Sequence, residues 1–431
     1  MNHFELKEGE LFCEGASLTD LAHAVGTPVY VYSSATLERH YTVLRDALVA
    51  EGVKGDNGGD PLIAFAVKAN SNLAVLKTLA RLGAGADTVS EGEIRRALAA
   101  GVPPEKIVFS GVGKTADELA FALKAGVAEI NVESEPEMRL ASQVAQSLGA
   151  RATIAIRVNP DVSAGGHAKI ATGKEDNKFG VSFSEAERLY ANASNDAGLN
   201  PVGVTCHIGS QITDLAPMEA AFTKMRGLVE RLRGEGLSVQ RLDLGGGLGV
   251  PYFNQPTPPS PADYARMIAK TMNGLNIAYA FEPGRMIAAN AGVLLAKVQH
   301  IHERPGGRKF VVLDAAMNDL IRPAMYDAYH DIRPVKVRAG DPVTYDVVGP
   351  ICETGDTFTR DRDLPRLEAG DLVAFMSAGA YGAVMSSEYN SRLLVPEVLV
   401  NGDQFAVIRP RPTYEDMLAK ERMPDWLAPT T

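Results

Sequence analysis

The sequence predicts an α/β fold: a (β/α)8 TIM barrel joined to a second, mostly antiparallel β domain built from the N-terminal segment and the C-terminal region. Three observations predict it. Short apolar runs alternate eight times with helical segments between residues 62 and 281. Beyond about residue 290 the alternation stops and strand-like runs follow one another without crossover helices. A chain of 431 residues also exceeds the size at which one core keeps growing, so two domains are expected.

The apolar runs are 62–67, 85–89, 107–110, 129–132, 153–158, 202–206, 241–244 and 278–281, read as buried parallel strands. Between them 73–82, 91–100, 116–125, 135–148 and 218–233 repeat apolar residues at helical spacing. Eight strand–helix alternations suit a closed barrel better than an open doubly wound sheet. The later strands are expected at 292–303, 309–314, 341–348, 371–375, 393–400 and 404–408. Strand-like 10–13 and 29–32 join them, which places the barrel at 30–290 and the β domain at 1–29 plus 291–431. Three stretches dense in Gly, Pro and Asn read as loops: 51–60, 161–180 and 254–261; the second is long enough to act as a lid.

Hydrophobic residues form 45% and charged residues 22% of the chain, ordinary for a soluble globular protein. A net charge of −10 argues against nucleic acid or an anionic membrane as partner. The N-terminus lacks a basic segment followed by an apolar run, and no apolar stretch is long enough to span a bilayer. Cys13, Cys206 and Cys352 are too few and scattered for a disulfide framework or a zinc site, and no His-x-His or carboxylate cluster marks a metal. A reducing, cytoplasmic setting is expected.

In such a barrel chemistry gathers where strands end. Those ends carry Lys68, Asp87, Arg157, His207 with Ser210, Gly245–Gly247, and Glu282 with Gly284 and Arg285. A strand-end lysine usually just reaches solvent. A desolvated amine beside cations becomes neutral and can form a Schiff base, and Lys68 follows an apolar run. Glycine runs are mostly turns, but three after a buried strand let the backbone approach a phosphate; the spacing does not match a dinucleotide fingerprint. Glu282 reads either as half of an ion pair with Arg157 or Arg285, or as the carboxylate that keeps a pyridine nitrogen protonated. His207 reads as a core histidine or as a ring stacked on a cofactor.

Taken together, Lys68 in AFAVKAN, Asp87 in GADTVSEGE, His207–Gln211 (HIGSQ), Gly245–Gly247, Glu282–Arg285 (EPGR), Cys352–Asp356 (CETGD) and Tyr381 in GAYG resemble the diaminopimelate decarboxylases, fold-type III, alanine-racemase-like pyridoxal-phosphate enzymes. The resemblance covers about residues 25 to 412, with the motifs in family order. It implies a (β/α)8 barrel plus a β domain, and pyridoxal 5′-phosphate on Lys68. It places Asp87, Arg157, stacked His207, Ser210, Gly245, Gly246, Gly247, Glu282, Gly284, Arg285 and Tyr381 around that cofactor, with Glu282 on the ring nitrogen. Arg285, Arg322, Tyr326, Glu353 and Tyr381 would line the substrate site, and Cys352 would return the proton after carbon dioxide leaves. The family brings Cys352 and Glu353 from a partner subunit, which implies a homodimer with two shared sites. Many relatives have CESGD where this chain has CETGD, a mild change.

The bland fate of Cys352 is a small buried hydrophobe. Glu353 and Asp356 make its surroundings polar for a core strand, which favours the functional reading. Substrate choice rests on the far end of the molecule. Glu353 suits the distal ammonium of meso-diaminopimelate, and Arg285 and Arg322 its distal carboxylate. Ornithine and arginine lack that carboxylate and would leave those arginines unpaired. The expected reaction is decarboxylation of meso-2,6-diaminopimelate to L-lysine, the last step of lysine biosynthesis. The alternatives are a decarboxylase of a polyamine precursor such as carboxynorspermidine, a racemase, and a catalytically silent regulatory homologue. A racemase is expected to carry arginine at position 282, and a silent homologue to lose Lys68 or Cys352.

Overall fold

The computed structural model describes residues 2–163, 177–253 and 255–427. Most of the loop read as a lid, residues 164–176, lies outside the described residues. The chain divides into two compact units, 34–291 and 1–33 with 292–431.

In the first unit Leu62–Ala66, Gly85–Thr88, Ile107–Phe109, Glu129–Val132, Ala152–Arg157, Leu199–Thr205, Arg241–Asp243 and Ala278–Phe281 form a closed barrel. Each strand pairs parallel with the next, and the last returns to the first through Ala280↔Leu62 and Phe281↔Ile63. Several crossover helices start on side-chain caps. Ser90 accepts from the amide of Glu93, Ser134 from Glu137, and Ser182 from Glu185. Thr115 with Glu118 and Ser260 with Asp263 form reciprocal capping boxes. The helices bury one stripe each against the strands, for example Leu119 and Ala122, or Tyr264, Ala265, Met267 and Ile268. The sixth strand starts three residues before the expected 202. It runs through Pro201 by a register shift between Pro201 and Gly203, which accommodates a residue without an amide proton.

The second unit holds a three-stranded antiparallel sheet, Phe4–Lys7, Glu10–Cys13 and Ala16–Ser17, and a nine-stranded sheet. The long strand Gly292–Glu303 is the axis of the larger sheet: its first half pairs with Val29–Ser33 and Leu372–Phe375, its second with Lys309–Leu313. Among the described residues two pairings there are parallel, Lys309–Leu313 with Val343–Val348 and Val29–Ser33 with Glu397–Asn401; the others are antiparallel. Leu11, Leu18, Leu21, Val29, Val31, Val293, Leu295, Val398 and Val400 pack as its core. Thr357–Leu364 is an additional strand whose composition, TFTRDRDL, reads as loop. It is held by antiparallel pairing to Val343–Val348, with the Thr344 hydroxyl donating to Asp363 at 2.5 Å. Among the described residues no helix is long and apolar enough to cross a membrane.

Candidate active site

Lys68 lies in the tight turn Val67–Ala69 that ends the first barrel strand. Its Nζ donates to Asp87 Oδ2 at 2.6 Å; the carboxylate is fully buried and the lysine side chain 40% exposed. Asp87 sits inside the second strand, so the pair links two neighbouring strands. The other Asp87 oxygen, Oδ1, is buried without a hydrogen-bond partner.

Glu282 follows the last strand and is held by its own backbone: its amide donates to the Gly245 carbonyl at 2.8 Å, and the next residue's carbonyl accepts from Ala66 at 3.1 Å. Its carboxyl accepts from Ser110 Oγ and Asn131 Nδ2, both at 3.4 Å. Burial, with the carboxylates of Asp243 and Asp87, raises it well above the ordinary range, against the pull of Lys68 and Arg157. The ion pair weighed for Glu282 goes elsewhere. Arg157 Nη1 pairs with Glu133 at 3.0 Å, and Arg285 donates from Nε to Ser210 Oγ at 3.1 Å and from Nη1 to the Tyr252 hydroxyl at 3.3 Å.

His207 follows the sixth strand. Its Nδ1 accepts from the Gly246 amide at 3.2 Å, so the proton of the neutral ring is on Nε2. Burial and the charges of Arg157 and Lys68 lower it to about 3, so the ring is neutral at physiological pH.

The glycine run behaves differently from a simple phosphate cradle. The Gly245 amide donates to Asp243 Oδ1 at 2.7 Å and the Gly246 amide to His207. A Cβ at Gly246 would lie 2.3 Å from the Glu282 carbonyl oxygen, so glycine is required there by backbone packing. Gly247, at φ +115, would place a Cβ 2.6 Å from the Gly209 carbonyl. Among the described residues no acceptor takes the Gly247 amide. The anion-binding reading therefore narrows to Gly247, beside Ser210 and Arg285.

Several residues of this cluster escaped the strand-end reading. Asp243 is buried and raised to about 7, by burial and then by Glu129, with Asp87 adding to it. Glu93 is also raised to about 7, first by burial, and interacts with Asp87 and Lys68. A buried chain links Lys114 to Glu137 at 2.5 Å, Glu137 to the Glu133 amide at 2.9 Å, and Glu133 to Arg157. The carboxylates flanking the motifs, Asp243 before the glycines and Glu93 in SEGE, were the available signal.

In the other unit, Cys352 is exposed, unlike buried Cys13 and Cys206, so the bland expectation of a buried hydrophobe does not hold. The turn that displays it is pinned by buried Asp356, which accepts from the amides of Ile351 at 2.7 Å and Met317 at 2.6 Å. Glu353 accepts from the Tyr389 hydroxyl at 3.0 Å. Tyr381 is half-buried with a left-handed backbone at φ +56. Arg322 opens the short helix Arg322–Tyr326 and is buried, while Tyr326 is half-buried at its end. Among the described residues no group of three His, Cys, Asp or Glu side chains could hold a metal ion.

A ligand that fits the barrel cluster must bring positive charge to Glu282, meet buried acceptors on Asp87, Asp243 and Asn131, and offer an anion to Gly247, Ser210 and Arg285. A phosphorylated, protonated pyridine with an aldehyde for Lys68 meets these demands. The comparisons agree with this chemistry. Residues 53–289 match the family described as "Pyridoxal-dependent decarboxylase, pyridoxal binding domain". The diaminopimelate decarboxylase of Zymomonas mobilis is 50% identical over 427 residues, 98% of this chain and 99% of that one. The crystal structure of diaminopimelate decarboxylase from M. jannaschii in co-complex with L-lysine superposes with a TM-score of 0.92 at 39% identity, covering 99% of this chain and 100% of that one. That of Helicobacter pylori complexed with L-lysine gives 0.88 at 42% identity, covering 93% and 98%. Half the residues are thus shared with a single relative from end to end, and the chain belongs to the diaminopimelate decarboxylases of the pyridoxal-dependent decarboxylase family.

Proposed function

We propose that this chain decarboxylates meso-2,6-diaminopimelate to L-lysine and carbon dioxide, the last step of lysine biosynthesis, with pyridoxal 5′-phosphate as its cofactor. The observation that carries the reading is Lys68 and an under-compensated Glu282 in one barrel cluster, in a chain half identical throughout to a diaminopimelate decarboxylase.

Lys68 would hold the cofactor through its aldehyde, with Asp87 orienting the lysine amine. Glu282 would meet the ring nitrogen with its carboxylate, and neutral His207 would offer a flat face to the ring. Gly247, Ser210, Gly284, Arg285 and Tyr381 hold the phosphate; Gly245, Gly246 and Arg157 act by fixing His207, Glu282 and their surroundings. When bound, the cofactor supplies an electron sink for the pair left as the Cα–carboxylate bond breaks. Cys352 delivers the proton to Cα, as a positioned acid must before the carbanion is lost. Glu353 pairs with the distal ammonium, Arg285 and Arg322 with the distal carboxylate, and Tyr326 and Tyr381 line the substrate. Cys352 and Glu353 serve the site of a partner subunit in a homodimer working in the cytoplasm. Exposure of Cys352 and Glu353 on a pinned turn supports that reading.

The test is to incubate the purified protein and pyridoxal phosphate with meso-diaminopimelate, ornithine, arginine and carboxynorspermidine, measuring carbon dioxide and amine product. Lysine from diaminopimelate alone is expected. Comparable turnover of ornithine or carboxynorspermidine would overturn the substrate assignment. A Lys68→Ala protein that still binds pyridoxal phosphate in a borohydride-reducible linkage would overturn the assignment of Lys68.

A further inference from the structure

Arg322 is buried, 6% exposed, and so is His330, 3% exposed, eight positions along. Their side chains meet: Arg322 Nη1 lies 2.9 Å from His330 Nε2, and His330 Nδ1 lies 2.9 Å from the Met376 carbonyl oxygen. The two contacts fix the chemistry of the ring. A guanidinium is a donor at every nitrogen, so Nε2 must accept and carries no proton. A carbonyl can only accept, so Nδ1 must carry the proton. His330 is therefore the neutral Nδ1–H tautomer, a one-directional link from the Met376 carbonyl to the Arg322 guanidinium.

The backbone holds the ring in that place. The helix Arg322–Tyr326 stops at Asp327, φ 50, and the Ala328 amide returns to the Arg322 carbonyl at 3.3 Å. The His330 carbonyl accepts from Arg362 at 3.4 Å, whose guanidinium stacks 4.2 Å from the Tyr329 ring, and the Asp331 carbonyl accepts from the Met376 amide at 2.8 Å. A carboxylate would bind the guanidinium more strongly, but it would neutralise the charge. A neutral acceptor orients the guanidinium without setting a negative charge against it.

We propose that His330 is a positioning residue for substrate recognition: its Nε2 lone pair fixes the Arg322 guanidinium in the orientation that meets the distal carboxylate of the substrate. This rests on the assignment of Arg322 to that carboxylate given above. His330 itself does not touch the substrate.

Two substitutions separate the halves of the link. In H330Q the side-chain oxygen reaches the place of Nε2, keeping an acceptor for Arg322. In H330N the amide nitrogen takes the place of Nδ1, keeping the donor to Met376 and losing the acceptor. Steady-state decarboxylation of meso-diaminopimelate by the holoenzymes is expected to show KM raised about tenfold in H330N, the effect of one lost charge-assisted hydrogen bond, with kcat within about twofold. H330Q should restore KM to within about threefold of the parent, and in an R322M background H330N should change KM by less than about twofold. Equal KM in H330N and the parent, with R322M raised, overturns the role of His330 alone. Unchanged KM in R322M overturns the assignment of Arg322 itself. Nitrogen-15 spectra of histidine-labelled parent protein, with the signal identified by its loss in H330Q, should show Nδ1 protonated and Nε2 bare. An imidazolium or an Nε2–H ring there overturns the proposal whether or not H330N folds.

Discussion

Asp243→Asn tests the charge balance of the barrel cluster. Asp243 Oδ1 accepts the Gly245 amide at 2.7 Å, Oδ2 is buried with no partner of hydrogen-bond geometry among the described residues, and the carboxyl interacts with that of Glu282. Its carboxyl stands at about 7 against an ordinary 3.8, through burial, then Glu129, with Asp87 adding to it. The folded state therefore binds more protons than the unfolded state between those values, so stability falls as pH rises. The contribution is complete below pH 3.8 and gone above about 7. The cost of charging Asp243 is on the order of a few kcal/mol and is shared with Glu282, which it raises in turn. Asparagine keeps the acceptor for Gly245 and does not titrate. The variant should gain on the parent as pH rises, from near equality at pH ~4 to a few kcal/mol at pH ~8. Spread over a unit of about 260 residues, this raises its Tm by several degrees. Calorimetric melts of both cofactor-free proteins across that range measure it. A difference that stays constant with pH, or a variant less stable at the alkaline end, would falsify the electrostatic account.

His207→Asn should show the opposite trend. The parent ring stands at about 3, below its ordinary 6.5, so its contribution is present above 6.5 and lost on acidification. Asparagine retains an acceptor for the Gly246 amide, so the parent should lose about 3 kcal/mol relative to H207N between pH ~7 and ~4.5, and parallel melting curves would contradict this. Gly246→Ala forces a Cβ to 2.3 Å from the Glu282 carbonyl and must displace either the glycine loop or Glu282. Its affinity for pyridoxal phosphate, followed by absorbance titration, should fall about a hundredfold, and an unchanged Kd would show that the close packing has no bearing on the cofactor.

The barrel was legible because most of its strands are short apolar runs that alternate with amphipathic helices. Ile63, Ala64, Phe65 and Ala66 are all buried, so no alternation is needed to see them. Thr357–Leu364 was not legible because it is half charged; only its partner strand reveals it. The strand-end rule found Lys68, His207 and Glu282, whose motifs lie at strand ends. It passed over Asp243, which reads as the flank of a glycine run, and Glu93, which belongs to a helix. It also gave Gly245 and Gly246 a phosphate when their amides face Asp243 and His207. Amide directions follow from local φ and ψ, and no residue type encodes them. His330 was invisible for a related reason: its meaning lies in a contact with Arg322 and Met376 that only the folded segment creates.

The polarity of the barrel cluster constrains its ligand without any appeal to relatives. Three buried carboxyls, Asp87, Asp243 and Glu282, face two cations. Lys68 is engaged by Asp87 and Arg157 by Glu133, so neither is closely paired with Glu282. His207 adds no charge, because a proton on Nδ1 would confront the Gly246 amide and a second proton is opposed by both cations. An anion or an apolar group at Glu282 would deepen the deficit; a protonated nitrogen removes it and returns the carboxyl to its charged form. At the other pole, the Gly247 amide, Ser210 and Arg285 present donors and positive charge. A ligand cationic at one end and anionic at the other is the one for which both poles are satisfied at once. An arginine at position 282, as in the racemase alternative, would relieve the same deficit from within the protein. The ring nitrogen would then stay unprotonated, so glutamate at this position ties the unmet charge of the barrel cluster to the electron sink that decarboxylation requires.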